Sequence, residues 1–447
     1  MNKWPKVVVA GTLAISLTAC GSAKPESANT AGEQAQAEPG KTTQIRMQIA
    51  WASDSPRGKA IRVILDEFEK KNQDVKVELL GSAQNGQKLL TQILSGDAPE
   101  VMQIAYRDVR GLAPQGAYLD LSKDLNAEKD NYYQQLWDLG TWDGKLYGFP
   151  WLGHSVQLIY NKTLFDKAGI KNPPKTWDEL YDAAKKLTVD TNGDGKPDQY
   201  GIGLVGKQVY DITWMVNMFM NQAGANIVKD DGKGNYQVGL NSPEGKKALE
   251  FYTKLVKEVS PPDTVNKDGG AVMADFRNQV VAMQFQGPWG VPDAWKAANK
   301  FEVGTAEVPA GPAGKAADIG PYMLSVPTGV KGDKLSASVK LIKFLGSKEG
   351  QELVMKGEKA DDGNFYPFRV PIRKDLYDLP YFKEHPEFLV FIKGLEYPSI
   401  STPVPQWSQV EAEVYQSVLN QVVSGAITAE QGLKTLEEKG NAILKAK

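Results

Sequence analysis

Residues 144–187 read GKLYGFPWLGHSVQLIYNKTLFDKAGIKNPPKTWDELYDAAKKL. A Gly-Lys turn opens the stretch and leads into Tyr147-Gly148-Phe149-Pro150-Trp151. Val156, Leu158 and Tyr160 then alternate, the period of a strand with one buried face. Asn161-Lys162 leaves that strand for a short helical piece around Leu164-Phe165. Pro173-Pro174 stops the chain, and Thr176 with Glu179 three residues on forms a capping box, in which hydroxyl and carboxylate satisfy orphan amides at a helix start. Leu180, Ala183, Ala184 and Leu187 supply the buried stripe of that helix. Strand, loop and capped helix in this order predict an α/β chain.

The segments before it repeat the alternation. Ile45, Met47, Ile49 and Trp51 predict a strand. Ile61, Ile64, Leu65 and Phe68 predict an amphipathic helix, Val75, Val77 and Leu79 a second strand, and Leu89, Leu90, Ile93 and Leu94 a second helix. Val101, Met102 and Ile104 predict a third strand. Such an order implies right-handed crossovers and a mostly parallel sheet. Ligands of such sheets bind beyond the carboxyl ends of the strands, which directs attention to residues 51–58 and 105–111. Further helices are expected over 214–223, 243–259, 336–355, around 410–422, and from the Thr428/Gln431 cap to Ile443.

YGFPW, then LIYNK, then AGI-x-x-PPKTWDEL resemble the extracellular solute-binding proteins of ABC importers, in the branch that includes maltose-binding protein. FEKKNQDVKVE, GDAPEVMQI and AMQFQGPW extend the resemblance, with Glu100 where the family usually has Asp. It implies an α/β, two-lobed periplasmic-binding-protein-like fold of type II. Each lobe is then a mainly parallel sheet flanked by helices, and the chain crosses between lobes three times. The crossings are expected at YGFPW, within 319–327, and near Leu379-Pro380 after the loop NFYPFRVP (364–371). One lobe is expected to take 44–150 plus 321–378, the other 151–320 plus 379–447. The resemblance further implies a monomer that captures a carbohydrate without turnover and passes it to the transmembrane subunits of an ABC permease.

The ends and the composition fit that role. Lys3 and Lys6 precede an apolar run too short to span a membrane as a mature helix, the layout of a signal peptide over 1–19. Leu17-Thr18-Ala19-Cys20 looks like a lipobox, which implies lipidation of Cys20 and localisation on the extracytoplasmic face of the membrane; the alternative is a soluble secreted protein with an incidental cysteine. Cys20 is the one cysteine, so no internal disulfide forms. Residues 20–43 read as a disordered tether, because 21–44 contain no aromatic residue and no Val, Ile, Leu or Met. With 52 basic and 54 acidic residues and no basic run, the chain is not patterned for nucleic acid.

A sugar ring has a hydroxyl edge and a C–H face, so its pocket combines aromatic plates with short polar side chains. The candidate loops carry that mixture in Trp51, Ser53 and Asp54, in Tyr106, Arg107 and Asp108, in Trp151 and His154, in Trp289, and in Asp318 and Tyr322. The resemblance puts Ser53 to Ser55, Arg107-Asp108 and His154 on polar sugar contacts, and Trp289 on a stacking Trp. Tyr210, Asp211 and Trp214 fall in another contact region. Trp407 falls either on a stacking position or in the core. His154 replaces a carboxylate and the Asp-Arg order is reversed at Arg107-Asp108, departures that leave maltose itself in doubt. Trp177 is expected in the core, and Trp137, Trp142 and Trp295 are expected to be structural.

Two alternatives stay open. A secreted glycoside hydrolase needs a pair of carboxylates flanking the bond, for which Asp54, Asp108 and Asp318 are available; a binder of a non-sugar polar solute is the other. No cofactor is required. Asp190, Asn192, Asp194, Lys196 and Asp198, with Gly195 at the sixth position, match a calcium loop, but Gly201 stands where the bidentate Glu belongs. The same residues also suit an Asx-rich turn that holds no ion.

Overall fold

A computed structural model describes residues 42–81, 86–231, 233–359, 365–399, 404 and 406–445, with backbone alone at 86–88. The signal segment, Cys20, nearly all of the tether and the start of NFYPFRVP lie outside the described residues. Ten strands position the site: β1 (Thr43–Ile49), β2 (Val75–Gly81), β3 (Val101–Ala105), β4 (Phe149–Leu152), β5 (Gln157–Asn161), β6 (Met283–Gln286), β7 (Val303–Ala306), β8 (Ala317–Asp318), β9 (Tyr322–Ser325) and β10 (Pro398–Ser399).

The first lobe is built on a five-stranded sheet in the order β2-β1-β3-β9-β4. β1 pairs in parallel with β2 and β3, whereas β9 runs antiparallel to both β3 and β4. The alternating residues of β1 do what their period requires: Ile45, Met47 and Ile49 are fully buried. The helix Pro56–Lys71 lays Ile61, Ile64, Leu65 and Phe68 into the same core. Ser55 caps it, its hydroxyl accepting from the Gly58 amide at 3.1 Å.

The second lobe departs from the expected sheet. β5 lies between β6 and β7 and is antiparallel to both; parallel pairing lies outside that sheet's ladders, in isolated bridges such as Tyr200 with Val281 and Gly203 with Gln284 and in the short pair β8 and β10. The two-lobed α/β architecture stands, but neither sheet is mainly parallel: the first has two parallel and two antiparallel pairings, and the three-stranded sheet of the second is antiparallel. The reason is directional. β5 enters from the first lobe and so runs away from the boundary, while β6 ends at Gly287-Pro288-Trp289 and runs towards it.

At the boundary three passages of chain lie side by side. Residues 153–156 join β4 to β5, Ser155 bridges antiparallel to Ile319, and Gly153 bridges antiparallel to Val370. Arg373 still belongs to the first lobe, donating to the Gly346 carbonyl and the Glu128 carboxylate. Phe382, Phe388 and Phe391 join a cluster with Phe276 and Val291. β8 then pairs with β10 in parallel.

Two local readings are refined. At the Thr176 cap the hydroxyl accepts from Glu179 N at 3.2 Å, but the Glu179 carboxylate reaches one residue further back, to Lys175 N at 2.7 Å. The expected helix over 336–355 is two helices, Gly332–Gly346 and Lys348–Val354. Ser347 turns extended between them and caps the second through Gly350 N.

Trp177 is buried, stacks on Phe251 at 4.5 Å with an interplanar angle of 2°, and donates its indole N–H to Gln222 at 2.7 Å. Truncating it removes a filled aromatic volume and strands a buried amide oxygen. Trp177→Ala is expected to cost about 3–5 kcal/mol in urea unfolding, against about 1 kcal/mol for Thr176→Ala at the adjacent cap.

Candidate functional site

A cavity of about 500 Å³ lies between the lobes, within the range that encloses a small ligand. The first lobe supplies Gln48 and Ala50 at the end of β1 and residues 103–108 at the end of β3. The second supplies Tyr210, Asp211 and Trp214 from the first turn and a half of the helix Tyr210–Ala223, Gly269 from the start of the helix Gly269–Arg277, and Trp289 after β6. His154, Asp318, Tyr322 and Arg369 come from the passages between them.

A hydrogen bond reaches across the gap. Arg107 Nη1 donates to the Tyr210 hydroxyl at 3.1 Å, with the guanidinium 4.7 Å from the Tyr210 ring centroid. A relay of hydrogen bonds fixes the aromatic plates of the second lobe. Trp289 Nε1 donates to Gln286 Oε1 at 3.0 Å, and Gln286 Nε2 donates to the Gly269 carbonyl at 3.1 Å. Gly269 N in turn donates to Asp211 Oδ2 at 2.9 Å, while Trp214 Nε1 reaches Asp211 Oδ1 at 3.4 Å. Asp211 therefore positions two rings, and both its oxygens are occupied.

Burial sets the charges. It pushes Asp318 up to about 7 against the pull of Arg107, and Glu411 likewise to about 7. Asp108 is also raised by burial. Tyr210 holds Arg107 firmly cationic, with Asp108 and Glu411 adding to the effect. His154 is kept neutral by burial and by the arginines Arg369 and Arg57. Its Nε2 is 3.6 Å from Asp318 Oδ2, its ring meets Trp289 edge-on at 4.9 Å, and its Nδ1 is buried without a partner.

Tyr106, Arg107, Asp108, His154, Tyr210, Asp211, Trp214, Trp289, Asp318 and Tyr322 thus meet around one cavity. The other candidates stand elsewhere. Trp51 is behind the wall, edge-on to Tyr322 and Phe368 at 5.3 and 5.6 Å. Ser53 and Asp54 are exposed in the turn before the first helix, and Ser55 is used in capping it. Trp151 is wholly buried in the first core, because β4 is covered on both faces. Trp407 is buried in the second core against Tyr415. The sequence reading missed Arg369, Gln48, Gln103, Gln286 and Met273 in the wall, and Glu411 near Arg107. Arg369 stands in NFYPFRVP, where aromatic and proline residues signal a loop but nothing signals which way the arginine faces.

The candidate calcium loop is closed by its own amides. Asp190 accepts from Gly193 N and Gly195 N at 2.6 and 2.7 Å, Asn192 from Asp194 N, Asp194 from Lys196 N, and Asp198 from Thr191. Among the described residues no three acidic, His or Cys side chains converge to hold a metal ion. The residues fit Asx turns rather than a calcium cage.

The two-lobed fold and its shared cavity define a receptor-like class, and the comparisons agree. Over residues 52–352 the chain matches the bacterial extracellular solute-binding proteins, and it belongs to that family. A binding protein of Brucella abortus is 26% identical over 407 residues, covering 90% of this chain and 93% of the relative. An ABC transporter solute-binding protein from Thermotoga lettingae, solved with alpha-D-tagatose, superposes with a TM-score of 0.73 at 27% identity, covering 90% of this chain and all of the other. An ABC substrate-binding protein from Listeria monocytogenes in complex with cycloalternan gives a TM-score of 0.73 at 27% identity, covering 91% and 100%. Among the described residues no helix is long and apolar enough to cross a membrane.

Two outcomes follow from the charges and the loop. Unfolded, Asp318 and Glu411 ionise near pH ~4. Above that the folded state holds protons the unfolded chain has lost, so their contribution to stability is full at low pH and is lost as pH rises to about 7. Asp318→Asn is expected to match the wild-type melting temperature near pH ~4 and to exceed it near pH ~8, in melts across that range. EDTA is expected to leave the melting temperature unchanged, as read by scanning calorimetry before and after chelation.

Proposed function

We propose that this protein is a lipid-anchored extracytoplasmic receptor that captures a carbohydrate, of more than one ring, between its lobes and delivers it to the membrane subunits of an ABC importer. The carrying observation is a cavity walled from both lobes by aromatic rings (Tyr106, Tyr210, Trp214, Trp289, Tyr322) interleaved with hydrogen-bonding side chains. Rings cover the C–H faces of a sugar, and the amides, carboxyls and imidazole between them serve its hydroxyls. A second hollow of about 120 Å³ beyond Trp289, walled by Arg57, Met273 and Tyr366, gives a longer ligand somewhere to continue.

Capture works through the lobes. A ligand touching both favours the closed arrangement over the open one, and hinge closure of this kind is the general movement of periplasmic binding proteins. Arg107 with Tyr210 would then form part of the closed seam. Anchoring rests on the lipobox-like Leu17-Thr18-Ala19-Cys20, and delivery on the family, whose members serve ABC transporters.

One observation favours a second reading, a glycoside hydrolase: Asp318 stays protonated up to about 7 inside the cavity, as a general acid must. The relatives matched are binding proteins, and of the other carboxylates in the cavity wall, Asp108 and Asp211, Asp211 has both oxygens occupied in aiming rings.

A saccharide screen by thermal shift separates these. A captured sugar at 100 times its dissociation constant is expected to add about 2.7 kcal/mol of stability, and Trp289→Ala is expected to weaken binding about tenfold or more. Release of reducing ends in the same tubes would establish turnover and replace the receptor reading.

A further inference from the structure

Sugar capture leaves one part of the cavity wall without a role. Arg369 is 5% exposed, and its guanidinium carbon lies 4.7 Å from the Trp289 ring centroid, 5.4 Å from Trp51 and 5.6 Å from Tyr322. The rings attract the cation, but a ring face accepts few of a guanidinium's five N–H bonds. Arg369 Nη1 donates to the carbonyl of its own neighbour Phe368 at 2.7 Å, and Nε is buried without a partner. The Tyr322 hydroxyl is a further hydrogen-bond partner, but among the described residues no carboxylate forms an ion pair with it. A buried cation in that state is expensive, and burial accordingly draws Arg369 down to about 10.

The surroundings sharpen the asymmetry. Arg57 lies over the same Trp51 ring at 5.4 Å and is itself paired with Glu358. His154, between this region and Asp318, carries no charge. The carboxyls of the site, Asp318, Glu411 and Asp108, lie in the field of Arg107, whereas the carboxylate felt by Arg369 is Glu358, already taken up by Arg57. One side of the cavity therefore holds an arginine with no ion-paired counter-charge of its own among the described residues.

We propose that the ligand provides it: the saccharide taken by this site carries a carboxylate, as in a uronic acid residue, which pairs with the Arg369 guanidinium while its ring lies among the aromatic plates. This rests on the sugar-capture reading and narrows it. A guanidinium is a planar fork that matches a carboxylate through two parallel hydrogen bonds, and the pair gains strength where water is excluded. No covalent bond is made or broken; the ligand's carboxylate supplies the charge opposite the cation.

The test is calorimetric titration of the purified full-length chain. The ligands are galacturonate, glucuronate and mannuronate oligosaccharides, each beside its neutral counterpart of the same length. At least one uronate is expected to bind about tenfold tighter than its counterpart. That preference should shrink between about 50 mM and about 500 mM salt. In Arg369→Gln, which keeps a polar side chain among the rings, the ratio of uronate to neutral-sugar affinity should fall to about one. Neutral sugars binding as tightly as the uronates throughout, or a preference that survives Arg369→Gln, overturns the proposal and leaves sugar capture standing. Failure of every saccharide, acidic or neutral, overturns both. The wild-type ratio and its salt dependence decide the matter even if the variant does not fold.

Discussion

The pairing of Ser155 with Ile319 and of Gly153 with Val370 holds three passages of chain edge to edge at the boundary between the lobes, and most of the architecture follows from it. A strand that has just crossed runs away from the boundary, as β5 and β9 do. A strand whose chain stays in its own lobe runs towards it and ends there, as β3 and β6 do, so their carboxyl-end loops present Tyr106-Arg107-Asp108 and Trp289 to the shared cavity. The passages lie too close for side chains at certain points. A Cβ on Gly153 would stand 2.0 Å from Ile372 Cγ2, and one on Gly320 would stand 2.4 Å from the His154 ring. Glycine at 320 is what lets the His154 imidazole come so close to the second passage while meeting Trp289 edge-on.

Within the cavity, rigidity and adaptability are divided between the lobes. The second lobe's plates are fixed through Asp211, Gly269 and Gln286, a relay in which each polar group is used to aim a ring. In the first lobe Arg107 has its named hydrogen bond across the gap, to Tyr210. Opening the cleft would exchange that bond for water, at a net difference of roughly 1 kcal/mol. That single bond is easily made or lost, which suits a receptor whose ligand helps decide which arrangement prevails.

Periodicity and turn chemistry made much of this legible in the sequence. Ile45, Met47 and Ile49 could bury themselves only as a strand, and Thr176 and Thr428 marked helix starts that the structure keeps. Family resemblance carried the two-lobed plan. What failed had definite causes. Trp51 and Trp151 are as aromatic as Trp289, and composition cannot tell a plate facing a cavity from one facing a core; that depends on which neighbours cover each face, and the same ambiguity at Trp407 falls to the core. Ser55 was chosen for its hydroxyl, which the adjoining helix claims as a cap. Antiparallel β5 went unseen because alternation reports a buried face and not a direction. Arg369 and Glu411 were invisible for a further reason, since each is distant in sequence from the groups that give it meaning.

Protonation binds these features together. A sugar hydroxyl both donates and accepts, and a neutral carboxyl or neutral imidazole can meet it in either sense, whereas an ionised group in a dry cavity must find an opposite charge. Burial leaves His154 neutral and holds Asp318 and Glu411 at the edge of neutrality, so this part of the wall is suited to uncharged polar partners. Arg107 is the cation they share. Arg369 has no such company, and the same burial that quiets the acids cannot neutralise a guanidinium at ordinary pH. A cavity made tolerant of hydroxyls on one side thus keeps a fixed positive charge on the other, and a ligand is read by how well it answers both.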